Sequence, residues 1–206
     1  MEGLVCAAVL ALLVFLILPA GRGSNVTSSR ISCVNHLKQI GLAFRMWSND
    51  HGEKFPWDVP VGRGGTKDFA ATGEAWRHFQ AISNELSNPK VLACPNDPKR
   101  TWVADFAALN NSHVSYFIGL SADETRPQTI LSGDRNIAVS NKLLSGVVTV
   151  ETNTVLNWTS DLHNNAGNFA LADGSASQMN NRSVLMQLQS AFLSTTQSVF
   201  RFVFPQ

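Results

Sequence analysis

The chain has 206 residues, enough for one domain with appended segments, and 44% of them are hydrophobic, so it can bury a core. Only 15% are charged and the net charge is +1 at pH 7, which argues against nucleic-acid-binding proteins, since these carry a marked basic excess. Three cysteines are too few for a disulfide-dense scaffold. The sequence has no phosphate-binding loop, no dinucleotide-binding glycine motif and no paired Cys-x-x-Cys motif, which weakens nucleotide and structural-zinc interpretations.

An uncharged apolar stretch occupies residues 3–20. As a helix it would span about 27 Å, close to the roughly 30 Å hydrocarbon core of a bilayer. Two interpretations compete, a membrane anchor and a cleaved secretory signal. A signal peptide has basic residues before its apolar region, and here only Met1 and Glu2 precede it, so the anchor is favoured and residues 1–20 are assigned to it.

A second helical pattern follows within residues 21–52. Apolar side chains recur at three- and four-residue steps from Ile31 to Trp47, which predicts an amphipathic helix that ends at Asn49–Gly52. If Pro19 and residues 21–23 only kink the path, the two segments form one rod of about 69 Å. We therefore expect a long helical stalk with one end in lipid and the other packed against a head.

The remainder, residues 53–206, has the pattern of a mixed head domain. A helix is predicted over 74–86 and another over 183–193. Between them lie short apolar runs separated by turn residues, and Asp173-Gly174 is a strong signal for a tight hairpin. The predicted strands lie at 91–94, 114–119, 129–132, 137–139, 147–150, 168–172 and 175–178, with an apolar tail at 199–204. This arrangement predicts an α+β fold with a mainly antiparallel sheet.

Three segments carry a resemblance to a known group of proteins. They read ISCVNHLKQIGLAFRMWSNDHGEKFP at 31–56, VLACPND at 91–97 and HNNAGNFALADG at 163–174. In this order they resemble bacterial pseudopilin-like or prepilin-like proteins of the type II secretion and type IV pilin kind. The resemblance implies a pilin-like fold, in which a long N-terminal helical stalk precedes an α+β head with one or two short helices. The motif residues expected to be structural are Asn35, Leu37, Lys38, Gln39, Gly41, Phe55, Pro56, Pro95, Asp97, His163, Asp173 and Gly174.

The resemblance also extends to the start of the chain, with one departure. In pilin-like precursors a basic leader precedes a glutamate that commonly lies 17 residues before a proline, and Glu2 and Pro19 have this spacing. No basic leader precedes Glu2, which puts processing and filament assembly in question. In an assembling pilin the cost of a carboxylate in lipid can be offset by a neighbour's N-terminal ammonium. Alternatively, Glu2 lies at the lipid–water surface and is solvated there.

Charge alone and the resemblance predict opposite membrane orientations. Arg22, Arg30, Lys38 and Arg45 follow the apolar stretch with no acidic residue before Asp50, which by the positive-inside rule keeps them in the cytoplasm. The resemblance implies a single-pass protein of the bacterial inner membrane with its head in the periplasm. A basic leader would reconcile the two.

The candidates for chemistry are few. His163 with Asp161 and Asp173 could bind a metal, but histidine is a poor calcium ligand and a hairpin turn accounts for Asp173-Gly174. There is no G-x-S-x-G motif for a serine hydrolase. We therefore predict no catalytic residues, no metal ligands and no cofactor, and we expect His163 to orient the loop before the hairpin by hydrogen bonding.

The cysteines give one structural prediction. Cys6 lies inside the apolar stretch, whereas Cys33 lies on the amphipathic helix and Cys94 precedes Pro95. If the head lies in an oxidising compartment, we expect a Cys33–Cys94 disulfide; the alternative is two buried thiols.

These features predict a structural protein: a membrane-anchored, pseudopilin-like assembly subunit of a type II secretion or pilus-like apparatus. Its expected partners are the membrane and either further copies of itself or other pilin-like subunits, with no nucleic acid. The alternative is a monomeric, envelope-tethered protein whose head binds an unknown small-molecule ligand. An enzyme ranks third.

Overall fold

A computed structural model describes Gly3, Val9, Leu12 and residues 24–206. In that part of the chain a long helix, α1 (Ser24–Asp50), is followed by short helices α2 (Ala75–Ala81) and α3 (Ser83–Leu86) and by a later helix, α4 (Asn181–Leu193). The strands are β1 (Tyr116–Gly119), β2 (Ile130–Asp134), β3 (Ile137–Val139), β4 (Lys142–Leu143), β5 (Gly146–Glu151), β6 (Leu156–Trp158), β7 (Ala166–Leu171), β8 (Ala176–Asn180) and β9 (Val199–Phe204).

The strands form two antiparallel sheets. The larger sheet has the order β5-β9-β1-β2-β7-β8 and the smaller one the order β4-β3-β6. Both faces of the larger sheet are covered, so β1, β2 and β7 are buried along their whole length. Successive side chains of β1 lie on opposite faces of the sheet. Tyr116 and Ile118 lie in the core beneath α1, and Phe117 lies in the core beneath α4.

Helix α1 packs across β7 and β8. Leu37, Ile40 and Phe44 have no exposed surface, as the three- and four-residue spacing predicts. Gly41 lies against the hairpin turn, and a Cβ atom there would lie 3.2 Å from the Cα atom of Gly174. The glycine therefore lets the helix approach the turn closely.

The predicted pilin-like stalk is wrong. The long helix of the described residues begins at Ser24 and forms one layer of the head's own core, because its apolar stripe is buried against the sheet. None of the helices that the structure describes is long and apolar enough to cross a membrane. The predicted anchor over residues 1–20, with Glu2 and Pro19, lies outside the described residues apart from Gly3, Val9 and Leu12.

Within the head, most predicted elements lie near their expected positions, and two differ. The predicted helix over 74–86 is divided between α2 and α3 at Ile82. The predicted strand over 91–94 is wrong: Pro89–Leu92 is a 3-10 turn whose start is capped by the Asn88 side chain, which accepts a hydrogen bond from the Lys90 backbone N–H. Proline at the first position favours such a turn over a strand, since it fixes φ and has no N–H to donate.

A buried histidine in α2 predicts acid sensitivity. The Nδ1 atom of His78 lies 2.7 Å from Thr66 Oγ1, and burial lowers the pKa of His78 to about 4. The unfolded chain binds a proton at this residue below about pH 6.5. The contribution of neutral His78 is therefore present above pH 6.5 and lost as the pH falls towards 4.

We expect the free energy of unfolding to fall by up to about 3 kcal/mol between pH 6.5 and 4 because of this histidine. Urea denaturation of the native protein and of His78→Gln across this range measures the effect. The free energy of unfolding should decline less steeply with falling pH in the variant than in the native protein. Equal slopes for the two proteins would contradict the prediction.

Candidate functional site

A disulfide links α1 to the loop that precedes β1. It joins Cys33 and Cys94, the pair expected from the sequence, with Cα atoms 5.6 Å apart. Both cysteines are buried in the core beneath α1. The bond therefore fixes α1 covalently to the head.

A charged pair lies beside this disulfide. Arg135 donates two hydrogen bonds of 2.7 Å to the carboxylate of Asp97, and both side chains are buried. Ser115 Oγ donates to Asp97 at 2.9 Å and accepts from the backbone N–H of Cys94, also at 2.9 Å. Although burial alone would raise the pKa of Asp97, the hydrogen bonds and charge of Arg135 hold it below its ordinary value.

A second polar group, built around His163, also contacts the disulfide. Its Nε2 atom lies 3.5 Å from Cys94 Sγ and 3.4 Å from Asp134 Oδ2. Asn168 donates to the same Oδ2 atom at 2.8 Å. The polar centre, as we call the whole buried set, consists of Cys33, Cys94, Asp97, Ser115, Asp134, Arg135, His163 and Asn168.

Burial determines the protonation of the His163–Asp134 contact. It raises the pKa of Asp134 to about 8, although hydrogen bonds from Asn168 act in the opposite direction. It lowers the pKa of His163 to about 4. At neutral pH the two pKa shifts favour a protonated Asp134 beside a neutral His163 imidazole. The attraction within an ion pair would not offset the free-energy cost of desolvating both charges.

Local sequence explains how the loops present these groups. Pro95 favours an extended conformation at Cys94, the residue before it. The Asp97 side chain accepts from the backbone N–H of Lys99, which closes a tight turn. After His163, Asn164 and Asn165 both have positive φ, which asparagine tolerates better than most residues, and the chain then enters β7.

The three segments that carry the sequence resemblance meet at this place. Cys33 comes from the first, Cys94 and Asp97 from the second and His163 from the third. Gly41 contacts Gly174, and Asp173 accepts from the backbone N–H of Ser175, which makes the expected turn. Elsewhere, Leu37, Phe55 and Pro56 are buried, whereas Asn35, Lys38, Gln39 and Pro95 are exposed.

The remaining sequence candidates lie apart or have other partners. Asp161 forms an ion pair with Lys99 at 2.7 Å and also lies 3.9 Å from Arg135, at the edge of the polar centre. Arg30 donates to the carbonyl oxygens of Gly167 and Met179, and Arg45 donates to that of Asp173. Two of the four basic residues that follow the apolar stretch therefore attach α1 to the rest of the head.

Sequence reasoning missed Ser115, Asp134, Arg135 and Asn168. One signal was present: Gly133-Asp134-Arg135-Asn136 places charged and polar residues between two apolar runs that form buried strands. Charged side chains are seldom fully buried unless paired, so such a run marks a polar network inside a core. The partners across the network are distant in sequence and could be identified only from the fold.

The polar centre is enclosed by α1 and the sheet. All eight of its residues are buried, so a substrate has no direct access to the imidazole or to the carboxylates. Searches of protein-family models, curated proteins and solved structures find no match to this chain. The geometry of the polar centre is that of a buried network of hydrogen bonds and ion pairs.

An open cleft lies elsewhere, at the C-terminal end of α1. It has a volume of about 490 Å³ and is lined by residues 52–55, Asp58 and residues 123–125. Burial, followed by the charge of Asp123, raises the pKa of Asp58. The lining is rich in carboxylates, which favours a cationic ligand over an anionic one.

Replacement of His163 tests the polar centre directly. In the disulfide-bonded protein, we expect His163→Ala to lower the free energy of unfolding by about 1–3 kcal/mol, because Asp134 loses a buried polar partner. Chemical denaturation at pH 7 measures the change. A variant as stable as the native protein would show that the imidazole does not orient this loop.

Proposed function

We propose that the chain is a structural subunit of a pseudopilin-like secretion or pilus-like apparatus, held at a membrane by its apolar N-terminal stretch and displaying its head outside the cytoplasm. The observation that carries the proposal is the attachment of α1 to the head by the Cys33–Cys94 disulfide and by Arg30. Disulfides persist in oxidising compartments, which supports a head in the periplasm.

The attachment has a mechanical consequence for such a subunit. Only nine residues separate the end of the apolar stretch at Ala20 from Arg30, where the helix is already bonded to β7 and β8. This linker spans about 15 Å as a continuous helix, and because residues 24–29 already belong to α1, it spans no more than about 23 Å with residues 21–23 fully extended. The head would therefore lie close to the membrane. Because α1 is fixed to the head, the direction of α1 would set the orientation of the head.

The outer face of α1 offers a surface for neighbouring subunits. Ile31, Leu42 and Met46 are each at least half exposed, at 51%, 58% and 50%. They lie at helical spacing, away from the buried stripe, and Lys38 lies exposed between them. An apolar face of this kind suits side-by-side packing of helices.

Site-specific photocrosslinking tests the proposal. A benzophenone amino acid at Leu42 or Met46 in the full chain should give crosslinked dimers or higher species in membranes of the source cells. The same amino acid at Val155, which is 56% exposed on the head, is the matched control and should give none. If the α1 positions crosslink no more than the control, the assembly role is contradicted.

The carboxylate-lined cleft favours one second candidate, a monomeric tethered protein that binds a cationic ligand. Calorimetric titration with spermidine as the probe tests it. Binding that weakens at least tenfold in Asp123→Asn, together with absence of crosslinking at α1, would favour this function over assembly.

A further inference from the structure

The disulfide and the histidine beside it have the composition of a metal site. The Sγ atoms of Cys33 and Cys94 and one ring nitrogen of His163 all lie within 4.8 Å of one another, and the three residues are buried. No other such group of ligand-type residues occurs in the part of the chain that the structure describes. Thiolate and imidazole are the ligands that zinc prefers in structural sites.

Two of the distances match those between ligands of a tetrahedral zinc ion, whereas Asp134 lies outside the group whose ligand atoms are all within 4.8 Å of one another and would have to move towards the cysteines. With Zn–S near 2.3 Å and Zn–N near 2.05 Å, a sulfur and a nitrogen ligand lie about 3.6 Å apart. Cys94 Sγ and His163 Nε2 lie 3.5 Å apart. A nitrogen and a carboxylate oxygen ligand would lie about 3.3 Å apart, and the Nε2 atom lies 3.4 Å from Asp134 Oδ2.

The charges of the ligands are compatible with a buried site. Two thiolates and one carboxylate on a divalent ion leave one negative charge. A single net charge limits the desolvation cost compared with that of the separate thiolates and carboxylate.

We propose that reduction of the Cys33–Cys94 disulfide creates a buried zinc site formed by Cys33, Cys94, His163 and Asp134, in which the metal ion replaces the disulfide as the link between α1 and the head. A dithiol reductant supplies two electrons and two protons, becomes a disulfide itself and leaves two thiols. Metal binding then releases both thiol protons and the proton of Asp134. The sulfur atoms must separate to about 3.8 Å, the distance between two thiolate ligands of zinc.

Cobalt(II) titration of the reduced full chain tests the site. The background is Cys6→Ser, so that the third cysteine cannot bind the metal, and the reductant is tris(2-carboxyethyl)phosphine, which is converted to its oxide. We expect one equivalent of Co²⁺ to bind, with the visible bands of tetrahedral cobalt and a thiolate-to-cobalt charge-transfer band. The oxidised protein should bind at least a hundredfold more weakly.

Variants distinguish ligation from a merely structural role. His163→Ala should lower Co²⁺ affinity at least tenfold, and His113→Ala, at a histidine outside the group, should leave it unchanged. His163→Cys restores a ligand and should bind Co²⁺ with a stronger charge-transfer band. Failure of the reduced protein or of His163→Cys to bind Co²⁺, or binding without a charge-transfer band, would overturn the proposal.

Discussion

Replacing Cys33 and Cys94 together with alanine should lower the free energy of unfolding by about 4 kcal/mol, because the disulfide removes much of the entropy of the unfolded chain. The two residues are separated by 61 positions, so the bond closes a long loop. Loss of buried sulfur contacts in the core beneath α1 adds to the effect. Denaturation by guanidinium chloride under non-reducing conditions measures the change.

Cys6→Ala is the matched control for this experiment, since Cys6 lies outside both the disulfide and the described head. Its stability should equal that of the native protein. A double variant that loses less than about 1 kcal/mol would show that the bond does not constrain the chain as its loop length requires.

Asp97→Ala should be as damaging, with an expected loss of about 3–5 kcal/mol, because it leaves the buried guanidinium of Arg135 without its partner. Thermal or urea denaturation at pH 7 measures the loss. The pair between Lys99 and Asp161 is the more exposed comparison, since the Lys99 side chain is 60% exposed, and its lysine can be removed without touching Asp161, which also lies 3.9 Å from Arg135. Lys99→Ala should cost less than about 1 kcal/mol.

A double-mutant cycle separates the pair from its surroundings. Asp97→Leu combined with Arg135→Met removes both charges, so the double variant should be less destabilised than the sum of the two single variants. Additive losses would contradict the direct pairing that two 2.7 Å hydrogen bonds indicate.

The local features of the head were predictable because short-range rules determine them. Asp173-Gly174 forms the expected turn between β7 and β8, with Gly174 at a positive φ of 82°. Strand β3 occupies the residues that its apolar run predicts. Helix α4 begins at Asn181, two residues before the predicted start, because the Asn180 side chain caps it.

Tertiary packing determined the features that could not be predicted. The apolar stripe of α1 was visible in the sequence, but the pattern does not specify whether it faces a neighbouring helix or the chain's own sheet. Only the fold shows that Leu37, Ile40 and Phe44 pack in the core of the head. The expectation of a long stalk with one end in lipid failed because the described helix begins at Ser24, lies in the head's own core and is not apolar enough to cross a membrane.

Some residues of the polar centre could be predicted from the sequence and others could not. Cys33, Cys94, Asp97 and His163 were singled out from the sequence. Asp134 and Asn168 were not. Both lie on strands, and the sequence of a strand does not show which distant residue will lie next to it in the fold. The contact between His163 and Asp134 depends on how β2 and β7 pair, and that register is irregular between Ile130 and Ser132.

The state of the cysteines in living cells tests the central claim most directly, namely that a head outside the cytoplasm is fixed to its helix by a disulfide. Free thiols are alkylated in intact source cells at the moment of lysis, and the protein is digested without reduction and analysed by mass spectrometry. We predict a cross-linked peptide pair that contains Cys33 and Cys94, with Cys6 as the alkylated cysteine. Recovery of Cys33 and Cys94 as two alkylated thiols would contradict the account.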